Sequence, residues 1–448
     1  MTVKKAATYK GTARRQQTKK KGCLYALCTL LILALCTSGL FILITSGVLN
    51  GIPSSSNQES QNLASSSSSS FNAPTVSDRM AKTEDQNQEI SAEKQTEVLR
   101  IRVVGDMMFS RNIGLNIEQG KGDKHLSQVK ELLRDADLTI ANLENPLWKY
   151  TAPAPPKKKE EQDAQAGTGA QTRASSKNGT KNENAQVPEK IVLIGHPKAK
   201  DIIKDAGIDM VSLANNHLMD GGSEGLIATL ENLDAAGIAY TGAGRNLQEA
   251  MKPATSEIKG HNIAYLAVSN IIPGGYAASS NKAGIAPGRT QPKAVLQAIK
   301  NLKAEHDVVL VSIHWGTEYA DKPSAQQVSF AHQCIEAGAD ALLCAHPHVL
   351  QGFELYKGKL IAYSLGDFLF DIYHSKADES VICELEFNEQ HELSAARLLP
   401  ILIRPGAIVS IPDSTRSQEI LKRLNTLSSA FNTSITFEGD KLGQISGS

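Results

Sequence analysis

Between Leu99 and Phe368 the chain repeats one pattern: a short apolar run of strand character stops at residues that bind metals. Leu99 to Val104 stops at Gly105-Asp106, Leu138 to Ala141 at Asn142-Leu143-Glu144, and Met210 to Ala214 at Asn215-Asn216-His217. Val308 to Ile313 stops at His314-Trp315-Gly316, Ala341 to Cys344 at Ala345-His346-Pro347-His348, and Leu360 to Ser364 at Leu365-Gly366-Asp367-Phe368. Helical patterns separate the runs, as in Leu126, Val129, Leu132, Leu133 and Ala136. Strands alternating with helices build a layered α/β domain rich in parallel sheet. Ligands of such sheets gather beyond the carboxyl ends of the strands. One polar residue at a strand end is an ordinary cap or turn. Six strand ends carrying only Asp, Glu, Asn and His indicate a shared metal site along one edge.

The stretch Ser212 to Gly222 is the densest of these ends, with two amides, His217 and Asp220 ahead of two glycines and a helical pattern. Imidazole, carboxylate and amide oxygens without thiolate suit Zn, Mn, Fe or a similar divalent ion, not a cysteine-rich structural zinc. His346 and His348 are separated by Pro347, which predicts a loop in which both rings can bend inward. A carboxylate such as Glu144 can bridge two ions about 3.5–4 Å apart, an arrangement that activates water and clamps an oxyanion. His196, in Gly195-His196-Pro197 after Ile191 to Ile194, is a further strand-end candidate for lining the site. His125, His261, His306, His332, His374 and His391 have no ligand-type neighbours and read as surface or packing residues.

The remaining chain sets the context. Residues 1–21 carry Lys4, Lys5, Lys10, Arg14, Arg15 and Lys19 to Lys21 and no acid, and Cys23 to Leu49 has no charge at all. That run exceeds the ~20 residues that cross a bilayer as a helix. Its basic flank predicts a single-pass anchor over residues 22–49, with a cytoplasmic N-terminus and an extracellular globular part. A cleaved signal peptide has a shorter apolar region, about 7–15 residues. Residues 50–97 are rich in Ser, Gln and Asn and read as a flexible tether. About 149–189, with Pro153, Pro155 and Pro156 and the run Lys157 to Lys159, reads as a disordered insertion in a domain spanning 98–448. Its lysines are suited either to solvent or to an anionic polymer. The net charge is zero and aromatics make up 5%, which gives no footing for a nucleic-acid partner. Cys23, Cys28 and Cys36 lie in the apolar run; Cys334, Cys344 and Cys383 form no metal-type pair, and Cys344 reads as a buried small hydrophobe. Gln418 to Leu427 predicts an amphipathic helix and Ile435 to Phe437 a short strand, together closing the domain.

Taken together the motifs resemble the CapA-type capsule-synthesis (poly-γ-glutamate biosynthesis) family, a branch of the calcineurin-like metallophosphoesterases. The residues that carry the resemblance are Gly105-Asp106-x-Met108-x-x-Arg111, Asn142-Leu143-Glu144, Asn215-Asn216-His217-x-x-Asp220, His314-Trp315-Gly316-x-Glu318-Tyr319, His346-Pro347-His348-Val349-x-Gln351 and Ser364-Leu365-Gly366-Asp367-Phe368. They stand in the family's order over roughly 99–445. The resemblance implies a four-layer α/β/β/α sandwich of metallophosphoesterase type, preceded by the transmembrane helix. It implies Glu144 as bridging carboxylate, Asn216, His314 and His346 completing one metal, and Asp106 and His348 holding the other. His217, oriented by Asp220, corresponds to a general acid, and Arg111, Asn142, Asn215, Glu318, Gln351 and Asp367 are expected to line the substrate site. Two departures matter. The usual Asp-x-His of the first motif is Asp106-Met107-Met108, so one firm metal site and a second weak or absent one are expected; and Asp367 stands where the family usually has Asn. The implied roles are a metal-dependent hydrolase or transferase acting on a cell-surface anionic polymer or its precursor beside other capsule-synthesis membrane subunits, or a non-catalytic assembly subunit that binds through an inherited pocket.

Overall fold

The computed structural model describes residues 97–152, 191–372 and 374–447. The basic tail, the 22–49 span, the tether up to residue 96 and residues 153–190 of the expected insertion lie outside the described residues. Among the described residues no helix is long and apolar enough to cross a membrane.

The strands, in chain order, are β1 (Leu99–Met107), β2 (Leu138–Leu143), β3 (Met210–Ser212), β4 (Ala239–Thr241), β5 (Ala243–Gly244), β6 (Ala254–Ile258), β7 (His261–Ser269), β8 (Gly284–Ile285) and β9 (Val308–His314). They continue with β10 (Ala341–Leu343), β11 (Phe353–Tyr356), β12 (Lys359–Ala362), β13 (Asp367–Leu369), β14 (Glu379–Phe387), β15 (Leu393–Arg404), β16 (Ile408–Ser410), β17 (Thr433–Glu438) and β18 (Leu442–Gly447). The larger sheet has the order β17-β18-β15-β14-β1-β2-β3-β4, with β13 beside the end of β1 and β16 on β15. Its β1–β4 half is parallel and its β14–β18 half antiparallel. The smaller sheet runs β11-β12-β10-β9-β7-β6, parallel except at its two edges. β5 and β8 pair separately.

Strands buried on both faces read as unbroken apolar runs, and side-chain alternation sorts each run between two cores. Leu99, Ile101 and Val103 of β1, Leu138 and Ile140 of β2, and Val308 and Leu310 of β9 share the core between the sheets. Val309, Val311 and Ile313 face the other way, onto Val295 and Ile299 of the helix Pro292–Glu305 and onto Ala331 and Ile335 of the helix Ala325–Glu336. The outer face of β1–β3 packs on Ile113, Ile203, Leu226, Leu230 and Leu233, from the helices Arg111–Glu118, Ala199–Asp205 and Gly222–Ala236. The carboxyl ends of the parallel strands are left to converge on one rim.

Two local expectations change. Within the periodicity from Leu126 to Ala136 only a short helix forms (Lys130–Arg134), and a 3-10 turn (Gly122–His125) precedes it. Leu126, Val129 and Leu133 all reach the same core, but Ser127 Oγ donates to Lys124 O at 3.1 Å, a local bond that competes with regular helix. The closing helix is longer than expected, Ser414–Ser428, and is capped by Asp413, which accepts from Arg416 N at 2.8 Å. Cys334, Cys344 and Cys383 are buried and free.

Candidate metal centre

Side-chain parity delivers the site residues. Between Val103 (opposite Ile140) and Asp106 (opposite Asn142), β1 holds one residue more than β2. This bulge turns Asp106 to the side that Val103 faces, toward the space between the sheets. Gly105 is required inside it, because a Cβ there would lie 1.9 Å from Gly366 O. β2 continues without interruption, so Asn142 and then Glu144 follow Leu138 and Ile140 on the inner side. On β9, Ser312 and His314 follow Val308 and Leu310. Past β10 the chain leaves regular structure, and His346 (φ 96°) and His348 (φ 57°) take left-handed conformations. Each costs roughly 1–3 kcal/mol and persists only where the surroundings enforce it. Here His346 N donates to Asp106 Oδ2 at 3.2 Å and Tyr319 N donates to Pro347 O at 2.8 Å.

Glu144 Oε1 lies between two imidazoles, 3.5 Å from His314 Nε2 and 3.8 Å from His348 Nε2. His314 Nε2 is 2.7 Å from Asn216 Oδ1. His348 Nδ1 is 2.8 Å from Asp367 Oδ1 and 3.7 Å from Asp106 Oδ2. Asn142 Nδ2 donates to Asp106 Oδ1 at 2.8 Å. Ligand atoms of Glu144, His346 and His348 fall within 4.8 Å of one another, as do those of Asp106, Glu144 and His314, and of Asp106, His348 and Asp367.

All of these groups are buried except Asn216, which is half-buried. Burial pushes the Glu144 carboxyl well above the usual carboxylate range, and the charge of Asp106 adds to the effect. Burial also raises Asp106 against the opposing charge of His348, and pushes Asp367 up to about 6. His314 is held well below its ordinary value by burial and by the neighbouring imidazoles, and His346 is pushed down to about 3 by the same causes. Burial opposes protonation of His348 too, but Asp367, Glu144 and Asp106 outweigh it and hold its pKa high. Both Glu144 carboxylate oxygens, His314 Nδ1 and His346 Nδ1 have no hydrogen-bond partner. A buried carboxylate without a partner is costly. Neutral imidazoles beside unpaired carboxylate oxygens are the donor set that a divalent cation requires, so the residues present fit one.

His217 stands beside this cluster, close enough for its charge to disfavour protonation of His314 and His346. Its Nδ1 is 2.7 Å from Asp220 Oδ2, which also accepts from Leu193 N at 2.8 Å. Its side chain keeps 15% exposure, whereas that of Asp220 keeps 1%. The imidazole is therefore aimed by a buried carboxylate and open on its other side.

The other expected site residues divide. Asn142 and Asp367 touch the centre through Asp106 and His348. Asn215 is spent inside the loop, donating to Leu143 O at 2.8 Å and accepting from Leu218 N at 2.9 Å. Gln351 Nε2 donates to Ala320 O at 2.7 Å and so ties down the loop after Tyr319. Glu318 is exposed, and its charge reaches Asp367. Arg111 opens the helix Arg111–Glu118 with φ 51°, and its charge reaches Tyr319 and Asp371. His196 packs against Tyr150, ring centroids 5.4 Å apart, away from the metal-ligand groups. Sequence reasoning missed His374, whose ring stacks on Tyr319 at 4.6 Å, while Tyr319 lies 6.1 Å from His348. No motif marks it. The missing first-motif imidazole is replaced by buried Met108, whose sulfur accepts from Ser110 Oγ at 2.7 Å.

The family profile described as bacterial capsule synthesis protein PGA_cap matches residues 100–372. The chain is 28% identical over 331 residues to the PGA biosynthesis protein CapA of Bacillus subtilis (strain 168), covering 73% of this chain and 78% of that one. It is 27% identical over 335 residues to the capsule biosynthesis protein CapA of Bacillus anthracis, 74% of each chain. A solved phosphatase structure from Mycoplasma pneumoniae is 13% identical over 68% of this chain and 94% of that one, with a TM-score of 0.40, too distant to bear on chemistry.

Proposed function

The chain belongs to the bacterial capsule synthesis protein family PGA_cap, and from that premise we propose that it is a membrane-anchored, cell-surface protein acting in the synthesis, export or attachment of a capsule polymer of poly-γ-glutamate type. Its working part is a metal-dependent hydrolase- or transferase-like centre on a four-layer α/β/β/α sandwich. The observation that carries this reading is Glu144: a fully buried carboxylate, both oxygens unpartnered, set between His314 and His348. The anchor rests on the uncharged run Cys23 to Leu49 and its basic flank. The polymer rests on the names of the two Bacillus relatives.

Glu144, Asn216, His314 and His346 hold the firmer ion, of the Mn, Zn or Fe kind. Asp106 and His348 offer a weaker second position, since Met108 brings no imidazole to it. When bound, a divalent ion there supplies a Lewis acid and an activated water. His217 donates a proton to the departing group, and Asp220 fixes its tautomer by accepting from Nδ1. Arg111 and Glu318 are placed to meet the substrate at the rim.

The test combines metal analysis with turnover of a generic phosphodiester, with and without chelator. One stoichiometric ion, lost in His314→Ala and kept in Asp106→Ala, is expected together with chelator-sensitive turnover. Two stoichiometric ions lost equally in both variants overturn the unequal sites; bound metal without turnover favours an assembly subunit. For the topology, protease added to intact cells should release the globular part. Its survival until lysis would reverse the orientation.

A further inference from the structure

A cavity of about 580 Å³ adjoins the centre, a volume typical of small-molecule sites. Its lining includes Asn112 and Asn116 of the helix Arg111–Glu118, Phe370, Asp371 and Asp378 from the segment after β13, and Arg404 at the end of β15. Two of its ring side chains connect it to the metal-side histidine. The Phe370 ring centroid is 5.0 Å from that of His348. His374, also in the lining, stacks on Tyr319, and Tyr319 lies 6.1 Å from His348.

The polar lining selects its ligand. Asp371 Oδ2 and Asp378 Oδ1 are buried and have no hydrogen-bond partner. Such oxygens accept only, so whatever occupies the cavity must donate to them. Asn116 Nδ2 faces His125 Nε2 at 3.3 Å, which leaves its Oδ1 as another acceptor. Charge narrows the choice further. Arg404 lines the same cavity, and Arg111 is near enough for its charge to oppose the rise that burial imposes on Asp371. Two carboxylates with two guanidinium groups in their neighbourhood leave little net charge to attract a cation, and the carboxylates repel a polyanion. A neutral group rich in hydroxyl donors, with a C–H face to lie on Phe370, meets each of these conditions.

We propose that this cavity is a subsite for a sugar-type polyhydroxyl group, borne by the molecule whose reacting group is presented to the metal centre. The link to turnover rests on the metal-centre reading above; the binding itself does not. Ligand binding to the full-length protein is measured by saturation-transfer NMR and calorimetry with three probes: a neutral N-acetylglucosamine trisaccharide, a γ-linked glutamate trimer and putrescine. The trisaccharide should bind, and Asp371→Asn with Asp378→Asn should weaken it about tenfold or more, the effect of losing hydrogen bonds to charged acceptors. Ser375→Trp, an exposed lining position, should abolish binding by filling the cavity even if the carboxylate variants fold poorly. His314→Ala should leave trisaccharide binding unchanged while removing metal. Trisaccharide binding to wild-type protein that takes up no metal would overturn the metal-centre reading and keep the subsite. No trisaccharide binding, or binding of the glutamate trimer or putrescine that the cavity variants abolish, overturns the subsite.

Discussion

Two histidine clusters occupy opposite ends of the smaller sheet, and the same residue types behave differently in each. At the start of β7, buried His261 places Nε2 2.7 Å from Glu97 O and Nδ1 2.8 Å from His391 Nδ1, and His391 Nε2 lies 3.7 Å from Asp307. Both nitrogens of His261 have partners, so the group closes the entry of the chain into the domain. At the carboxyl rim, His314, His346 and His348 are equally buried beside carboxylates, yet Glu144 and two imidazole nitrogens lack partners. Burial does not separate His261 from the rim histidines, and neither does composition, although its partners His391 and Asp307 are half-exposed. Unsatisfied hydrogen-bonding capacity does: a buried carboxylate with neither oxygen partnered is costly, and several such atoms converging on one point mark a place for a ligand.

The sharpest way to break this contrast is Glu144→Gln. Bound metal should fall from stoichiometric to background, since the carboxylate between the two histidines is gone; full metal retention by mass spectrometry would remove the distinction. His217→Ala should lose roughly 10²–10⁴-fold in turnover per folded molecule while keeping its metal. Asp220→Asn should show a milder loss, because it disturbs only the aim of the ring. Full activity with lowered thermal stability would reduce His217 to a packing residue. Asp367→Asn should weaken metal affinity about 10–100-fold, the usual effect of losing the carboxylate behind a ligand histidine; titration against a competing chelator measures it. On the other side of the contrast, His261→Phe should cost about 1–3 kcal/mol of stability, from stranding its partners, with metal content and turnover unchanged. Loss of metal there would erase the difference between the clusters.

A further expected effect is on pH. His346 has its pKa pushed down from 6.5 to about 3, so the folded state binds fewer protons than the unfolded chain between those values. Its contribution to stability is therefore present above pH 6.5 and lost as pH falls toward 3. Denaturation of metal-free protein should show wild type losing ground to His346→Gln across that window. A constant difference between the two would contradict the assignment.

The ends of β1, β2, β3, β9 and β10 were legible in the sequence because apolar runs buried on both faces stop abruptly at polar residues. So was the loop character of His346-Pro347-His348. What the sequence concealed are second partners. Asp367 has the chemistry of a substrate ligand, and only the fold shows its oxygen against His348 Nδ1. Asn215 and Gln351 look equally available, but backbone groups brought near by tertiary structure occupy Asn215 and the amide nitrogen of Gln351. His374 reaches the rim by stacking on Tyr319, a contact between residues 55 positions apart that no local pattern encodes. The antiparallel half of the larger sheet lacks motifs altogether, since packing alone fixes it.

The extra residue in β1 also makes the facing of Asp106 depend on a residue that binds nothing. Val104 and Gly105 together stand opposite Ala141 alone, and that two-against-one count lets Asp106 keep the side that Val103 faces. Were β1 to run regularly through both residues, alternation would carry the carboxylate over to the helix side. A side chain at Gly105 pushes toward that outcome, because its Cβ would lie 1.9 Å from Gly366 O, whereas deleting one of the two residues restores plain alternation with Asp106 still inward. Chains of this kind can therefore keep the first carboxylate and lose the centre through a change at a silent position beside it.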